Sequence, residues 1–381
     1  MQTHRTARRT LVLWTAALLV SMPNAGWAIA ADAPKDLFSD VAPKWAVRPE
    51  HRNAALIYLS ADLATVDRAA LAIADLGEQG ADLLGTTLDA AQLPKAFEAA
   101  RAAVNPNVVA KIRTATKLAK CDFEIDYENG YKATMPGLQN MRNAARVLRV
   151  DTRIALTEPA IEGNATRAAE NLAAMFRVAR DTAAMRTIIS SLVAQRVIDL
   201  AMHETRVYLK SSLANAEGRQ QVLDAIADLG DDPVKMVAAI DAEEGMLQSF
   251  LRDHLKAKSP GESLATSMIE MGNAPESAVV QTFRRAARKD VERAIDQAKD
   301  LFQAVREEWS KPLADQTGES FDRRVLLLGE ASVLRALLPA LDQAHRKSVE
   351  TEAALMALRS ELLIKQTTDS EQNSRSVQQE R

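Results

Sequence analysis

The sequence predicts an all-α protein, an irregular antiparallel helical bundle or a short α-solenoid, with one extended loop near residues 121–131. Three observations carry that reading. Apolar residues recur at steps of three and four through most of the chain after His51. Many of those segments are rich in alanine. Alternation with a period of two occurs in one stretch, Cys121 to Tyr131.

Taken in order, Met1 to Arg9 carries Arg5, Arg8 and Arg9 without an acid, Leu11 to Val20 is apolar, and Ala28-Ile29-Ala30 is a small-x-small cleavage signal. This is the layout of a secretory signal peptide over 1–30. Its apolar run is shorter than the roughly 20 residues of a spanning helix, so no stable membrane span is expected after its removal. The expectation is an exported chain beginning near Ala31, periplasmic or extracellular. Arg8-Arg9 also fits a twin-arginine export signal, although an ordinary basic leader explains the same residues. Residues 31–50, with Pro34, Pro43 and Pro49, form an irregular lead-in.

An all-helical domain is expected over 51–365. His51 to Ala74, Pro94 to Val104 and Asn107 to Ala119 read as helices, with Gly77, Gly80 and Gly85 between the first two and Asn105-Pro106 before the third. In Cys121 to Tyr131, Cys121, Phe123, Ile125 and Tyr127 alternate with Asp122, Glu124, Asp126 and Glu128. That pattern means extended chain, and with no second strand it reads as a structured loop packed on helices. Met135-Pro136-Gly137 restarts a helix. Leu138 to Leu156, Thr166 to Asp181 and Ala184 to Lys210 follow as three helices, then Ala216 to Leu229 and a further one from Asp231-Asp232-Pro233 to about Lys258.

Ser259-Pro260-Gly261 is the strongest linker candidate and a possible subdivision of the domain. Beyond Gly272 and Pro275, the row Val280, Phe283, Ala287, Val291, Ala294, Ala298, Leu301, Val305 and Trp309 predicts one long helix packed lengthwise on a partner. Phe321 to Ile364 reads as another long helical stretch, with Pro339 as the place for a kink. The polar end, 366–381, is expected to be disordered.

Removing three basic residues and no acidic one with the leader leaves the mature chain a net charge of −6, which speaks for solubility and against nucleic acid. Only Trp45 and Trp309 remain of the four tryptophans, too few for a stacked aromatic platform. Cys121 is the single cysteine, so no intramolecular disulfide can form and stability rests on packing. Burial of the thiol is the expected fate, intermolecular pairing the alternative.

Two resemblances emerge. Leu138 to Leu156 and Thr166 to Asp181, joined by Glu158-Pro159 to Asn164 and with the small residues Ala155, Ala168 and Ala169 at the crossing, resemble one tetratricopeptide-type helical pair. Cys121 to Gly130 (CDFEIDYENG), Met135-Pro136, Leu138 to Arg149 and Thr187 to Val193, with Ala344 to Leu358 further on, resemble an uncharacterised family of exported, all-helical bacterial proteins. The likeness covers about half of the chain. It implies a lineage and carries over no activity, cofactor or site residue.

Candidate site residues are few. Asp122, Glu124, Asp126 and Glu128 project to one side of the extended stretch and offer oxygens to a hard cation, but no Gly stands where an EF-hand loop requires one. A charged face turned to solvent is the alternative. Asp199 and His203 share a helix face with Arg206 and have the spacing of an acid/base relay, but a pair without a nucleophile or metal set reads first as ion-paired surface or groove residues. Glu204 follows His203, but Val207 stands where a zinc-protease helix needs its second histidine. His51, His254 and His345 show no metal spacing, Ser190 and Ser191 lie within an apolar run, and no phosphate loop or nucleophile elbow occurs. Arg284, Arg285, Arg288, Lys289 and Arg293 form a basic cluster diluted by Asp290, Glu292 and Asp296.

No cofactor, no metal and no nucleic-acid partner are predicted. The leading expectation is a non-enzymatic envelope protein that binds a protein or peptide partner. The alternatives are a carrier with an apolar cavity between helices, and an enzyme with Asp199, His203 and the 121–131 loop around one pocket.

Overall fold

The computed structural model describes residues 53–61, 63, 104–133, 135, 137–311, 321–328, 332–337 and 341–379. Within them the fold is all-α: thirteen α-helices, one short 3₁₀ helix and no strand. The leader, the lead-in, all of the helix expected over 94–104 but Val104, and most of that expected over 51–74 lie outside the described residues.

Helix α1, Ala54–Ser60, and α2, Pro106–Thr116, each begin at an asparagine whose side chain accepts from the backbone two residues on. A 3₁₀ helix, Tyr127–Lys132, leads to α3, Leu138–Thr157, α4, Asn164–Ala183, and α5, Ile188–Lys210. These three pack successively, with α3 and α4 joined by a short connection. Helix α4 lies deepest. Ala168, Ala169, Ala174 and Ala179 let neighbours approach closely, and Leu172 and Phe176 are fully enclosed, each contributing roughly 1.5–3 kcal/mol by burial. Helix α5 starts at Thr187, whose side chain and that of Ser190 exchange capping bonds, so Ser190 is a structural hydroxyl. Ser191 donates to the carbonyl of Val234.

Helix α6, Ala216–Ala227, packs on α4, and α7, Met236–Leu255, receives the 3₁₀ helix on one side and later helices on another. The linker candidate is the start of α8, Pro260–Glu270: Pro260 occupies its first turn, and Pro260 and Gly261 are buried. A single hydrophobic core includes residues on both sides of it, from Ala54 to Leu362. A proline–glycine pair marks a helix entrance here because Gly261 must pass close to another backbone. A Cβ added to it would lie 2.3 Å from the carbonyl oxygen of Ala286 and 2.4 Å from that of Phe283.

The same contact explains why the expected long helix is two helices. Helix α9, Ala278–Arg285, ends at Ala286, and α10, Arg288–Trp309, starts after Ala287, with both intervening alanines extended. Asp290 accepts from the Ala287 amide at 2.9 Å and caps α10. Arg288 donates to the carbonyls of Leu255 and Ala257 at the end of α7. The apolar row survives the break, since Val280, Phe283, Val291, Ala294, Ala298, Leu301 and Val305 are all buried. Ala287, at the break, is exposed.

The stretch from Phe321 divides into α11, Phe321–Leu327, α12, Val333–Leu337, and α13, Leu341–Gln379; Pro339 lies outside the described residues. The polar end is helical as far as Gln379, where composition predicts disorder. No Gly or Pro follows Pro339, and extending an existing helix avoids the cost of nucleation. Along α13, Leu341, Ala344, Ser348, Thr351, Leu355, Leu358 and Leu362 form a buried row at alternating steps of three and four. That row lies against α5 and α6. Among the described residues no helix is long and apolar enough to cross a membrane.

Candidate functional site

The acidic stretch is built as its alternation predicts. Phe123 is buried, Cys121, Ile125 and Tyr127 are half-buried, and Asp122, Glu124, Asp126 and Glu128 are exposed. Extended chain is interrupted at Glu124, however, whose backbone is left-handed with φ 52°, and Tyr127–Lys132 is the 3₁₀ helix. Asp126 turns the backbone by accepting from the Glu128 amide at 3.1 Å and the Asn129 side chain at 2.7 Å. Tyr127 donates to the carbonyl of Met185, and Ser249 of α7 donates to that of Glu128. Asp122 accepts from the Glu124 amide and lies 3.5 Å from the Lys120 ammonium. The Asp122 and Asp126 carboxylates thus serve the turns of the backbone, and all four acidic residues are exposed. Among the described residues no group of three or more His, Cys, Asp or Glu side chains is arranged to hold a metal ion.

Cys121 is half-buried against the core, and burial, then the nearby Asp181 carboxylate, pushes its thiol well above the ordinary range. Asp181 ties α1 to α4 by accepting from the Tyr58 hydroxyl at 2.9 Å and from Arg180. Burial raises its carboxyl to about 6 even so.

Asp199 and His203 share α5 but face different partners. The Asp199 carboxylate lies 3.3 Å from the Lys347 ammonium of α13. His203 Nε2 lies 3.3 Å from Nη2 of Arg153 on α3. Burial lowers the His203 imidazolium, opposed by Glu204 and reinforced by Arg153, Arg149 and Arg206. The spacing that could have served a relay instead gives two separate pairings, and the 121–131 loop is anchored on other elements. His254 bonds Ser263 at 2.7 Å, and His345 stacks on Trp309 with ring centres 4.3 Å apart. His51 lies outside the described residues.

The residue that organises this region is Glu204, which the sequence offered only as a fragment of a zinc motif. It is fully buried and accepts from Arg149 Nε at 2.9 Å and from Arg153 through both Nε and Nη2. Charge-assisted bonds of this kind make a buried carboxylate tolerable, and removing one partner would strand the other. Arg149 and Arg153 continue a row begun by Arg142 and Arg146. The steps of four, three and four place all four guanidinium stems on one face of α3. That spacing was legible in the sequence and is the signal that points to this face. A second polar assembly joins α2, α3 and α4: Asp151 accepts from Arg167 and Asn171, and Arg113 bonds Asn171 and Glu170.

The basic cluster around Arg285 is engaged in part. Arg284 lies 3.6 Å from Glu262, Arg293 lies 3.7 Å from Asp290, and Arg288 caps α7. A surface cleft of about 230 Å³ where α2, α4 and α6 meet is lined by Arg113, Lys117, Glu170, Arg177, Gln221 and Asp224. This lining suits charged groups better than the apolar ligand of a carrier. No family model matches the chain, and no curated protein or solved structure matches it.

Proposed function

We propose that the protein is an exported, non-enzymatic helical module of the cell envelope that docks a protein or peptide partner. The observation that carries the reading is a second uncharged row on α13. Ala353, Met356, Ser360, Leu363 and Thr367, at steps of three and four, are exposed beside Ala357 and Ile364. Met356 and Ile364 are 65% and 64% exposed, while the row through Leu355, Leu358 and Leu362 is buried. A helix with one seam filled and another open offers an amphipathic helix of a partner a ready surface. The leader-like segment 1–30 supports the exported setting.

Native mass spectrometry tests this on the protein purified from its own envelope, beside a variant carrying Met356→Glu and Ile364→Glu. The expected result is an added protein mass on the wild type that the variant lacks. A bare wild-type monomer, a doubled mass of this chain alone, or a partner retained by the variant would overturn the reading.

A further inference from the structure

The 3₁₀ helix Tyr127–Lys132 lies along α7 as a short strap. Gly130, at φ 57°, brings its backbone against that helix: a Cβ there would lie 2.8 Å from the carbonyl oxygen of Met246 and 3.0 Å from the amide nitrogen of Phe250. Ser249 donates to the carbonyl of Glu128, and the Tyr131 ring packs on Phe250 with centres 5.4 Å apart. Two polar groups are enclosed together at this contact. The Tyr131 hydroxyl is sealed from solvent and reaches bonding geometry with nothing among the described residues. The neighbouring Glu243 carboxyl is buried with no cation acting on it, and burial, opposed by Tyr131, raises it to about 7. From the other elements packed on α7, Arg306 of α10 goes instead to Asp241 and Glu244, and Ser263 of α8 bonds His254; α5 brings no charge that acts on Glu243.

We infer that the 3₁₀ strap is a pH-gated latch, seated on α7 while Glu243 is a neutral acid and lifted when Glu243 ionises. A protonated carboxyl both donates and accepts, so it can satisfy the Tyr131 hydroxyl inside the closed space. An ionised one still accepts from Tyr131, but one neutral donor does not offset a charge where water is excluded. Either α7 or the strap must give way to bring water to that charge. The strap yields at lower cost, because it is six residues long, whereas Ile240, Leu247 and Leu251 anchor α7 fully buried in the core. Lifting it hydrates Glu243 and uncovers the Phe250 ring. The closed state holds the proton more tightly than the open one, so closure is favoured at acidic pH and is lost as pH rises through neutrality. The latch is separate from the open row on α13.

Hydrogen exchange of the full chain, followed by mass spectrometry and expressed relative to the intrinsic rate at each pH, provides the test. The amides of Asn129 and Ala133, which donate to the carbonyls of Asp126 and Gly130, report on the strap, and the amides of α4 report on the core. Wild-type protection over residues 127–133 should fall at least about tenfold between pH 5.5 and pH 8, with α4 unchanged. Glu243→Gln stays neutral and should keep the strap protected at both pH values. Ser249→Ala removes the bond to Glu128 without touching the carboxyl; it should lower protection by the same factor at both pH values and leave the fall in place. If E243Q does not fold, the wild-type and S249A profiles decide. Strap protection that is flat with pH in the wild type, an equal fall in E243Q, or an equal loss in α4 would overturn the inference.

Discussion

Arg153 Nη2 lies 3.3 Å from His203 Nε2, and because a guanidinium carries only donors, the imidazole must accept through Nε2 and keep its proton on Nδ1. His203 is therefore a neutral ring in this arrangement. Protonating it would remove the acceptor and add a cation where Arg149, Arg153 and Arg206 already act on it.

The sign of the resulting pH dependence follows. The folded protein holds His203 below its ordinary titration range, so the unfolded chain takes up the proton first as pH falls through about 6.5. The stability contributed by the neutral ring is present above that value and is lost on acidification through the folded-state pKa. Relative to His203→Gln, the wild type should lose stability between about pH 7 and pH 5. Urea unfolding at several pH values checks this, and parallel pH profiles for the two proteins would refute it.

Glu243 gives the opposite slope. It is buried on α7 beside Tyr131, whose hydroxyl is enclosed without a partner in bonding geometry among the described residues, and burial raises the Glu243 carboxyl to about 7. A raised carboxyl is an advantage of the folded state below the unfolded pKa that disappears as pH rises through the folded one. Glu243→Gln should therefore gain on the wild type as pH rises from about 4.5 to about 7, by up to roughly 3–4 kcal/mol. Melting temperatures of both proteins at pH 5 and pH 8 provide the comparison; no change in their difference would exclude an uncompensated carboxyl at this position.

Two glycines within helices should respond in opposite ways to alanine. Gly245 of α7 has open space around its Cβ position, so Gly245→Ala should stabilise by about 0.5–1 kcal/mol through helix propensity. Gly261→Ala has the same local gain but forces a methyl against the carbonyls of Phe283 and Ala286, and overpacking typically costs about 1–3 kcal/mol. The clash should win. Chemical denaturation separates the outcomes, and a stabilised G261A would show that α8 and α9 can move apart at little cost.

Sequence periodicity alone determined the all-helical class, the buried row from Val280 to Val305 and the inside–outside alternation of Cys121 to Glu128. Each depends on which side of a local element is apolar, and that information lies in neighbouring residues. It did not reveal that the row after Gly272 turns at Ala286-Ala287, that Ser259-Pro260-Gly261 enters a helix, or that Glu204 belongs to Arg149 and Arg153. Those features depend on groups far apart in the chain. Gly261 must meet the Phe283 and Ala286 carbonyls, and Glu204 sits 55 and 51 positions from its two arginines. Local spacing placed Asp199 and His203 on one helix, but docking of α13 and α3 decided their partners, because a polar side chain drawn into a packed interface bonds to whatever the neighbouring helix presents.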